Sequence, residues 1–314
     1  MIRYLIQRLI LFVSALFVSS FVVFSALYLM PGDPIRILTG GRSLPPEALQ
    51  ALRERYHLDE PFLQRYGSWL SGVLRGDLGT SVIFNQDVSE MLATKVVLTL
   101  QLVLYAGVIL VVLGVGLGLI AGLRRGAVDS VIVGATAFLA AIPPYMAAIV
   151  LLSVFAVGLG WFPAIGAGAD GERLLHLTLP AIALALSSLA IVARVTRVAV
   201  RGESDREHVQ TAVSRGFLKA QIVRRHILRN ALMPITTIVG VAVASLLAVS
   251  AVVEQAFSLD GIGSALVQAA LARDMAVVQA IALLFVFAFI ATNTLVDILY
   301  VFLDPRIKAG KEPA

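Results

Sequence analysis

The chain has 314 residues, of which 59% are hydrophobic and only 14% are charged, and its mean hydropathy is +0.90. This composition is too apolar for a soluble domain and predicts an integral membrane protein. The absence of cysteine excludes disulfides, thiolate metal sites and cysteine nucleophiles. An isoelectric point near 9.7 could indicate nucleic acid binding, so the placement of the basic residues matters more than their sum.

Six apolar stretches are long enough to cross a bilayer, which takes about 20 helical residues. The first, Leu9 to Met30, is longer than the apolar region of a signal peptide, so residues 1–30 are predicted to be a terminus and a transmembrane helix. The other five spans are predicted near residues 96–123, 129–158, 174–200, 235–253 and 276–302. The predicted fold class is therefore an all-α integral membrane protein with six transmembrane helices.

Local sequence features shape three of these spans. The sequence PGDP, at residues 31–34, ends the first helix because the residue before a proline is pushed out of helical geometry. Gly114, Gly118 and Gly122 recur at intervals of four residues in the second span and allow another helix to approach closely. Pro143-Pro144 must break or kink the third span, and this kink serves either packing or the lining of a pathway.

The polar stretches between the spans suggest a division of the chain. Residues 31–95 have their own aromatic side chains and are predicted to form a small domain outside the membrane. Residues 96–303 form a five-helix core, and residues 304–314 form a basic tail. Residues 257–275 are too polar to cross the membrane and are predicted to form a short helix at its outer surface.

A strongly basic segment, residues 201–234, separates the fourth and fifth spans. Ser204 and Glu207 have the spacing of a capping box, which predicts a helix that begins at Asp205. On charge alone, such a segment would be an ordinary loop that fixes orientation.

Two further residues favour a bent pair of helices in this segment. Gly216 allows a left-handed residue without a steric penalty from a Cβ atom, so the chain can turn sharply there. A second helix should follow the glycine, and Pro234 is predicted to mark the return to hydrocarbon.

The segment resembles a known family of transport proteins. Gln210-Thr211-Ala212, with Gly216 four residues after the alanine, resembles the EAA loop of ABC importer permeases, the cytoplasmic element that docks on the ATPase. TAVSRG, RHILRNALMP, AIPPYMAAIVL and LDPRI are similar to the dipeptide, oligopeptide and nickel branch of that family. Gln210 replaces the general family glutamate, and Asp260 stands where the family more often has proline.

The resemblance implies a type I importer permease in the bacterial cytoplasmic membrane, with an extracytoplasmic insertion between its first two helices. It implies a second permease subunit, two ATPase subunits that bind ATP and Mg, and an external binding protein that delivers a peptide-like solute. Dipeptides, longer peptides, glutathione and nickel chelates stay open as solutes. The residues implied to couple the permease to the ATPase are Gln210, Thr211, Ala212, Arg215, Gly216, Phe217 and Leu218.

The distribution of charge predicts the orientation. The side shared by the two termini carries 16 lysines and arginines against 6 acids, whereas the other side carries 9 against 13. Because positive charge is retained in the cytoplasm, both termini are predicted to be cytoplasmic. The basic isoelectric point thus reflects topology and gives no support for nucleic acid binding.

The sequence has no phosphate loop, zinc pair, nucleophile elbow or metal-spaced cluster, so we expect no catalysis, metal or cofactor in this chain. Energy should come from ATP hydrolysis in a partner. Two alternatives are a transporter driven by an ion gradient and a membrane scaffold. A transporter driven by an ion gradient predicts a relay of acidic residues within the membrane, and only Asp297 is clearly such a residue. A scaffold would leave the bent basic segment 201–234 unexplained.

Two sets of residues within the spans are candidates for other roles. Asp297 is predicted to form a structural ion pair with Arg194 or Arg197, because burying a lone charge in hydrocarbon is costly. A second set is polar and could line a solute path, although ordinary bonds between helices explain it as well. It comprises Gln101, Tyr105, Ser187, Ser245, Ser250 and Asn293.

Overall fold

The computed structural model describes residues 2–28, 45–47, 50, 60–81, 83–169 and 171–303. The ordered secondary structure in these ranges is helical, apart from one isolated antiparallel bridge between Thr80 and Asp87. The PGDP sequence, most of the predicted domain 31–95 up to residue 59 and the tail 304–314 lie outside the described residues, and the predictions made for them stay predictions.

The described helices follow the chain in a simple order. They are α1 Ile2–Tyr28, α2 Phe62–Leu74, α3 Val88–Leu123, α4 Ala127–Ala140, α5 Pro144–Gly158, α6 Arg173–Ser204, α7 Glu207–Ser214, α8 Lys219–Ala256, α9 Ile262–Ala272 and α10 Met275–Leu303. Short π-helical turns interrupt α3 at Val111–Val115 and α8 at Val223–Ile227, and another ends α5 at Leu152–Gly158.

Five of these helices, α1, α3, α6, α8 and α10, are long and apolar enough to cross a membrane. Helices α4 and α5 form a broken pair with a bend of 97°, and they complete the six predicted spans if the pair counts as one. The bend lies at Pro143 and Pro144, as predicted. Pro144 occupies the first turn of α5, where the missing amide donor costs no helical hydrogen bond.

Helix α6 lies at the centre of the bundle and packs against α3, α4, α5 and α8. Leu184 of α6 is fully buried among Leu102 of α3 and Leu246 of α8, and these residues belong to the largest hydrophobic core of the described chain. The apolar residues of α6 therefore have protein neighbours on most sides, unlike those of a peripheral span.

The close approach of α3 to α6 depends on the repeated glycines, as their spacing predicts. A Cβ atom at Gly118 would lie 2.5 Å from the carbonyl oxygen of Ala193, and one at Gly122 would lie 2.8 Å from the Cβ of Val200. Both distances are too short for any side chain, so the two helices touch through their backbones at these positions.

Helix α2 is the described helical part of the predicted domain 31–95, and it packs against α1. The hydroxyl of Tyr66 is 2.8 Å from that of Ser20, and its ring makes edge contacts with Phe17 and Phe24. The aromatic residues noted in the sequence therefore bind this segment to the first span.

The short helix predicted within residues 257–275 is α9, and a buried carboxylate holds its first turn. Glu254 of α8 is fully buried, and its two oxygens accept hydrogen bonds from the hydroxyl of Thr99 at 2.7 Å and the amide of Ser264 at 2.9 Å. Thr99 in turn accepts a hydrogen bond from the amide of Ile262 at 3.0 Å. This cluster joins α3, α8 and α9.

Candidate functional site

The polar segment between α6 and α8 folds as an ordered elbow, defined here as residues 203–230. The prediction of a capping box and a helix start at Asp205 is wrong. Helix α6 continues to Ser204, whose hydroxyl donates to the carbonyl of Val200 in its own helix at 2.7 Å. Helix α7 begins at Glu207, after an extended Arg206 and without a side-chain cap.

The sharp turn predicted at Gly216 is confirmed. Gly216 has a φ of +78°, and its amide donates to the carbonyl of Val213 at 2.9 Å. The amide of Phe217 reaches back to the carbonyl of Ala212 at 3.2 Å. This pair of bonds is a Schellman motif, which satisfies the last carbonyls of α7 and reverses the chain direction.

The second helix of the elbow is continuous with the fifth span. Helix α8 runs from Lys219 to Ala256 with Pro234 inside it, so the helix continues through the position predicted to mark the return to hydrocarbon. A helix can tolerate an internal proline where neighbouring turns adjust, and α8 has a π-helical turn at Val223–Ile227 shortly before it. The second half of the elbow and the span therefore belong to one helix.

The elbow has a small hydrophobic core of its own. Val209 and Ala212 of α7 are buried against Val200 of α6 and against Ile222 and Ile227 of α8. Ala212, one of the predicted coupling residues, therefore faces inwards and holds α7 in place. The packing makes α7 and the ends of both long helices one unit.

A carboxylate that the sequence did not single out braces this unit. The Glu203 side chain is 9% exposed, and its Oε1 accepts a hydrogen bond from Nδ2 of Asn230 at 2.8 Å. Nε of Arg206 lies 3.2 Å from Oε2, and Nε2 of His208 lies 3.3 Å from Oε1. The only sequence signal was an acid at the end of a span within a basic segment.

The tip of the elbow presents an apolar patch surrounded by polar residues. The exposed fractions are 60% for Val213, 41% for Phe217 and 68% for Leu218. Gln210, Thr211, Arg215 and Gly216 are also exposed, so six of the seven predicted coupling residues are accessible. Exposed apolar patches of this kind mark sites of protein interaction.

An open cavity of about 770 Å³ adjoins the tip. Its lining combines apolar and cationic side chains, namely Phe217, Arg224, Arg225, His226, Leu228, Arg229 and Leu232. The surface beside the patch therefore favours an anionic partner.

A second polar cluster connects α6 to α3 and α4 at the same end of the bundle. The carboxylate of Asp129, in the first turn of α4, accepts hydrogen bonds from Arg197 at 2.7 Å and from Arg201 at 2.9 Å. Arg201 also donates to the carbonyls of Ala121 and Arg124, at 3.1 and 3.2 Å, where α3 ends. Three spans are thus tied together next to the elbow.

The predicted ion pair of Asp297 with Arg194 or Arg197 is wrong. Asp297 of α10 pairs with Arg8 of α1 at 2.7 Å, and Arg197 is engaged with Asp129. Arg194 is exposed and has no ion pair with any residue that the structure describes. Arg8 comes from the first helix, and no local sequence feature places that helix beside the last.

The polar residues proposed to line a path are mostly bonded within the bundle. Gln101 accepts a hydrogen bond from Arg173 at 3.4 Å, and the hydroxyl of Tyr105 lies 3.2 Å from that of Thr178, so both link α3 to α6. Ser250 is fully buried and does not line an open path in this conformation. The other side chains donate to carbonyls of their own helices, and these are Ser187, Ser245 and Asn293.

Comparison with known proteins agrees with this arrangement. Residues 114–309 match the family described as the binding-protein-dependent transport system inner membrane component, and residues 1–103 match the N-terminal region of such membrane components. A peptide transport system permease protein of Brucella abortus is 35% identical over 309 residues, covering 97% of this chain and 98% of that protein. The glutathione transport system permease protein GsiC of Pectobacterium atrosepticum is 33% identical, covering 98% and 99%.

A solved structure has a similar fold. The MetNI methionine ABC transporter, in its inward-facing conformations, has a chain that aligns with a TM-score of 0.54 and 18% identity, covering 66% of this chain and 95% of that one. The fold is that of a transport permease with several membrane spans. The chain belongs to the family of binding-protein-dependent transport system inner membrane components and is a membrane-embedded permease of an ABC importer.

Proposed function

We propose that this permease imports a peptide-like solute, and that its elbow is the surface on which an ATPase subunit docks. The observation that most directly supports docking is the tip of the elbow, where the apolar side chains of Val213, Phe217 and Leu218 are exposed although the rest of the elbow has a packed core. The name of the Brucella relative supports a peptide solute. Glutathione, a modified tripeptide, is the second candidate because the GsiC proteins are similarly close relatives.

The expected assembly follows from the family and from the charges. A second permease, two ATPase subunits that hold ATP and Mg, and an external binding protein would complete the importer. The elbow end would be cytoplasmic, because the elbow and the sequence near both termini carry most of the excess of lysine and arginine.

The proposed mechanism requires that the elbow pass its movement to the membrane helices as a rigid unit. When ATP draws the ATPase subunits together, the elbow moves with the subunit on which it docks. Glu203 and Asn230 join α6 to α8, so both spans receive the displacement, and the Asp129 cluster passes it to α3 and α4. These movements would close the solute pathway on the elbow side and open it on the opposite side of the membrane, as in other rigid-body rearrangements of packed domains.

Reconstitution tests the proposal directly. The complete complex in proteoliposomes, supplied with binding protein, should take up labelled peptide only when ATP is present on the elbow side. Dissipating the ion gradients with ionophores should leave the uptake rate unchanged. Uptake that needs an ion gradient and proceeds without ATP would instead support the secondary transporter.

A further inference from the structure

Arg194 is a charged residue within a described span that the contacts of the fold do not explain. It lies within α6 and is exposed, and it has no ion pair or hydrogen bond with a described residue. Its neighbours in sequence are different, because Arg197 and Arg201 both bind Asp129. No polar contact of Arg194 with a described residue therefore helps to hold this subunit together.

The position of Arg194 along α6 places its charge inside the membrane. Arg201 contacts the terminal carbonyls of α3 and so marks the end of the spans, and Arg194 lies seven residues before it, or about 10 Å along the helix axis. Side chains in a helix tilt towards its N-terminus, which for α6 is the end away from the elbow. The Cβ atom of Arg194 therefore points away from the elbow.

A charge at this depth faces protein or water, because hydrocarbon does not solvate it. Helices α3, α4, α5 and α8 cover most of α6, and Ile191, Arg194 and Val198 share one exposed stripe at helical spacing. Ser187, predicted to line a solute path, lies seven residues before Arg194 and so continues the same side of the helix.

We propose that Arg194 is a binding site for a carboxylate on the translocation pathway, and that it engages the terminal carboxylate of the solute in the elbow-side half of the membrane. A guanidinium offers a planar fork of donors that matches a carboxylate. A peptide-like solute carries a terminal carboxylate. Water in the pathway would solvate the Arg194 guanidinium, which explains why it needs no partner in this subunit. This inference rests on the proposed function, since a solute without a carboxylate gives Arg194 nothing to bind.

Uptake of two matched probes tests the site. Trialanine and trialanine amide differ only in the terminal carboxylate, and their uptake ratio is measured in proteoliposomes that contain the complete complex and saturating binding protein. The binding protein is unchanged between permease variants, so its own preference cancels when ratios are compared. Arg194→Gln should lower the ratio of acid to amide about tenfold, and Arg194→Lys should restore part of it.

The controls separate the possible failures. Arg75→Gln, at an exposed arginine outside the spans, should keep the wild-type ratio. If the wild-type complex takes up neither probe, the peptide function proposed above fails, and this inference fails with it. If the wild type takes up the probes and Arg194→Gln keeps the wild-type ratio, only the inference about Arg194 is overturned. Equal loss of both probes together with loss of the second permease from the complex would assign Arg194 to the subunit interface and also overturn it.

The absence of native cysteine allows a second measurement that needs no transport. Arg194→Cys in the assembled complex should react with a small water-soluble thiol reagent. Val18→Cys, on the outward surface of α1, should react at least tenfold more slowly because thiols in hydrocarbon are not ionised. An unreactive Arg194→Cys would contradict a water-filled pathway at this position.

Discussion

Asn230 donates a 2.8 Å hydrogen bond to Glu203, and this contact joins the last turn of α6 to α8 at the base of the elbow. The same carboxylate also receives Arg206 and His208 from the chain between them. The two long helices that enter and leave the elbow are therefore connected by one buried side chain. A force applied at the tip reaches both helices together.

Replacing Glu203 should uncouple ATP hydrolysis from transport. Glu203→Ala removes the acceptor of the Asn230 amide, and because Asn230 is exposed and the bond is only partly buried, the cost is about 1.5 kcal/mol, the low end for a hydrogen bond to a charged group. We expect uptake per ATP hydrolysed to fall about tenfold while the complex still assembles. The measurement is the ratio of transport to ATPase rates in proteoliposomes. Asp205→Ala, which removes an exposed ion pair with Arg125, should leave the ratio unchanged.

Gly216 should not tolerate a side chain. A residue other than glycine in the left-handed conformation costs about 1–2 kcal/mol, and a β-branched one costs more. Gly216→Val should therefore loosen the turn, reduce uptake and increase cleavage of the elbow by added protease, with membrane insertion intact. Gly202→Val provides the control, because Gly202 is helical and has open space around its Cβ position. Equal behaviour of the two variants would contradict a special role for the turn.

A charge at the tip should weaken association with the ATPase. Leu218 is 68% exposed, so Leu218→Asp leaves the folded subunit intact but places a carboxylate in the proposed contact. Loss of one well-packed apolar anchor costs about 2 kcal/mol or more, so the amount of ATPase that co-purifies should fall at least tenfold. Leu271→Asp, at an 83% exposed leucine of α9, should have no effect on co-purification. If both variants retain the ATPase, the contact lies elsewhere.

Filling the space at Gly118 should destabilise the bundle. The Cβ position of Gly118 is 2.5 Å from a backbone oxygen, which cannot move aside as a flexible side chain can. Gly118→Val should lower stability by about 1–3 kcal/mol or more, the usual range for overpacking. Thermal unfolding in detergent measures this effect. Gly116→Val, in the same helix with nothing within 4 Å, should unfold near the wild-type temperature.

The ion pair between Arg8 and Asp297 should contribute modestly to the contact between α1 and α10. Both residues lie near the ends of their spans, where headgroups and water reach them, and the side chains are 35% and 28% exposed, so a coupling of about 1 kcal/mol or less is expected. A double-mutant cycle with Arg8→Gln and Asp297→Asn, followed by thermal unfolding, measures it. Purely additive effects would show that the two residues do not interact.

The parts of this fold that were predictable depend on local physics. The span lengths, the break at Pro143-Pro144 and the turn at Gly216 follow from hydropathy, a missing amide and a missing Cβ atom. The predicted capping box does not form because α6 continues to Ser204. Val200, in the last turn of α6, is buried in the core of the elbow, and the Ser204 hydroxyl bonds to the Val200 carbonyl within the same helix. Local spacing could not reveal that tertiary contact.

The charged clusters were not predictable for a different reason. Asp297 has its partner at the opposite end of the chain, and Asp129 binds two arginines on a helix whose orientation the sequence does not specify. The sequence places Asp297, Arg194 and Arg197 at similar depths in their spans, but residues at the same depth need not be neighbours. Packing decides which helices are neighbours. The repeated glycines of α3 predicted only that another helix approaches α3 closely, and that helix is α6.

Cross-linking from the elbow tip tests the central claim most directly. Because the chain has no native cysteine, Leu218→Cys gives a single thiol, which can be joined by a short bifunctional reagent to lysines of a neighbouring subunit in the purified complex. The elbow account predicts a product that contains this permease and an ATPase subunit, with a yield that changes when ATP is added. A thiol that reacts fully with a soluble maleimide and never links to an ATPase subunit would contradict it.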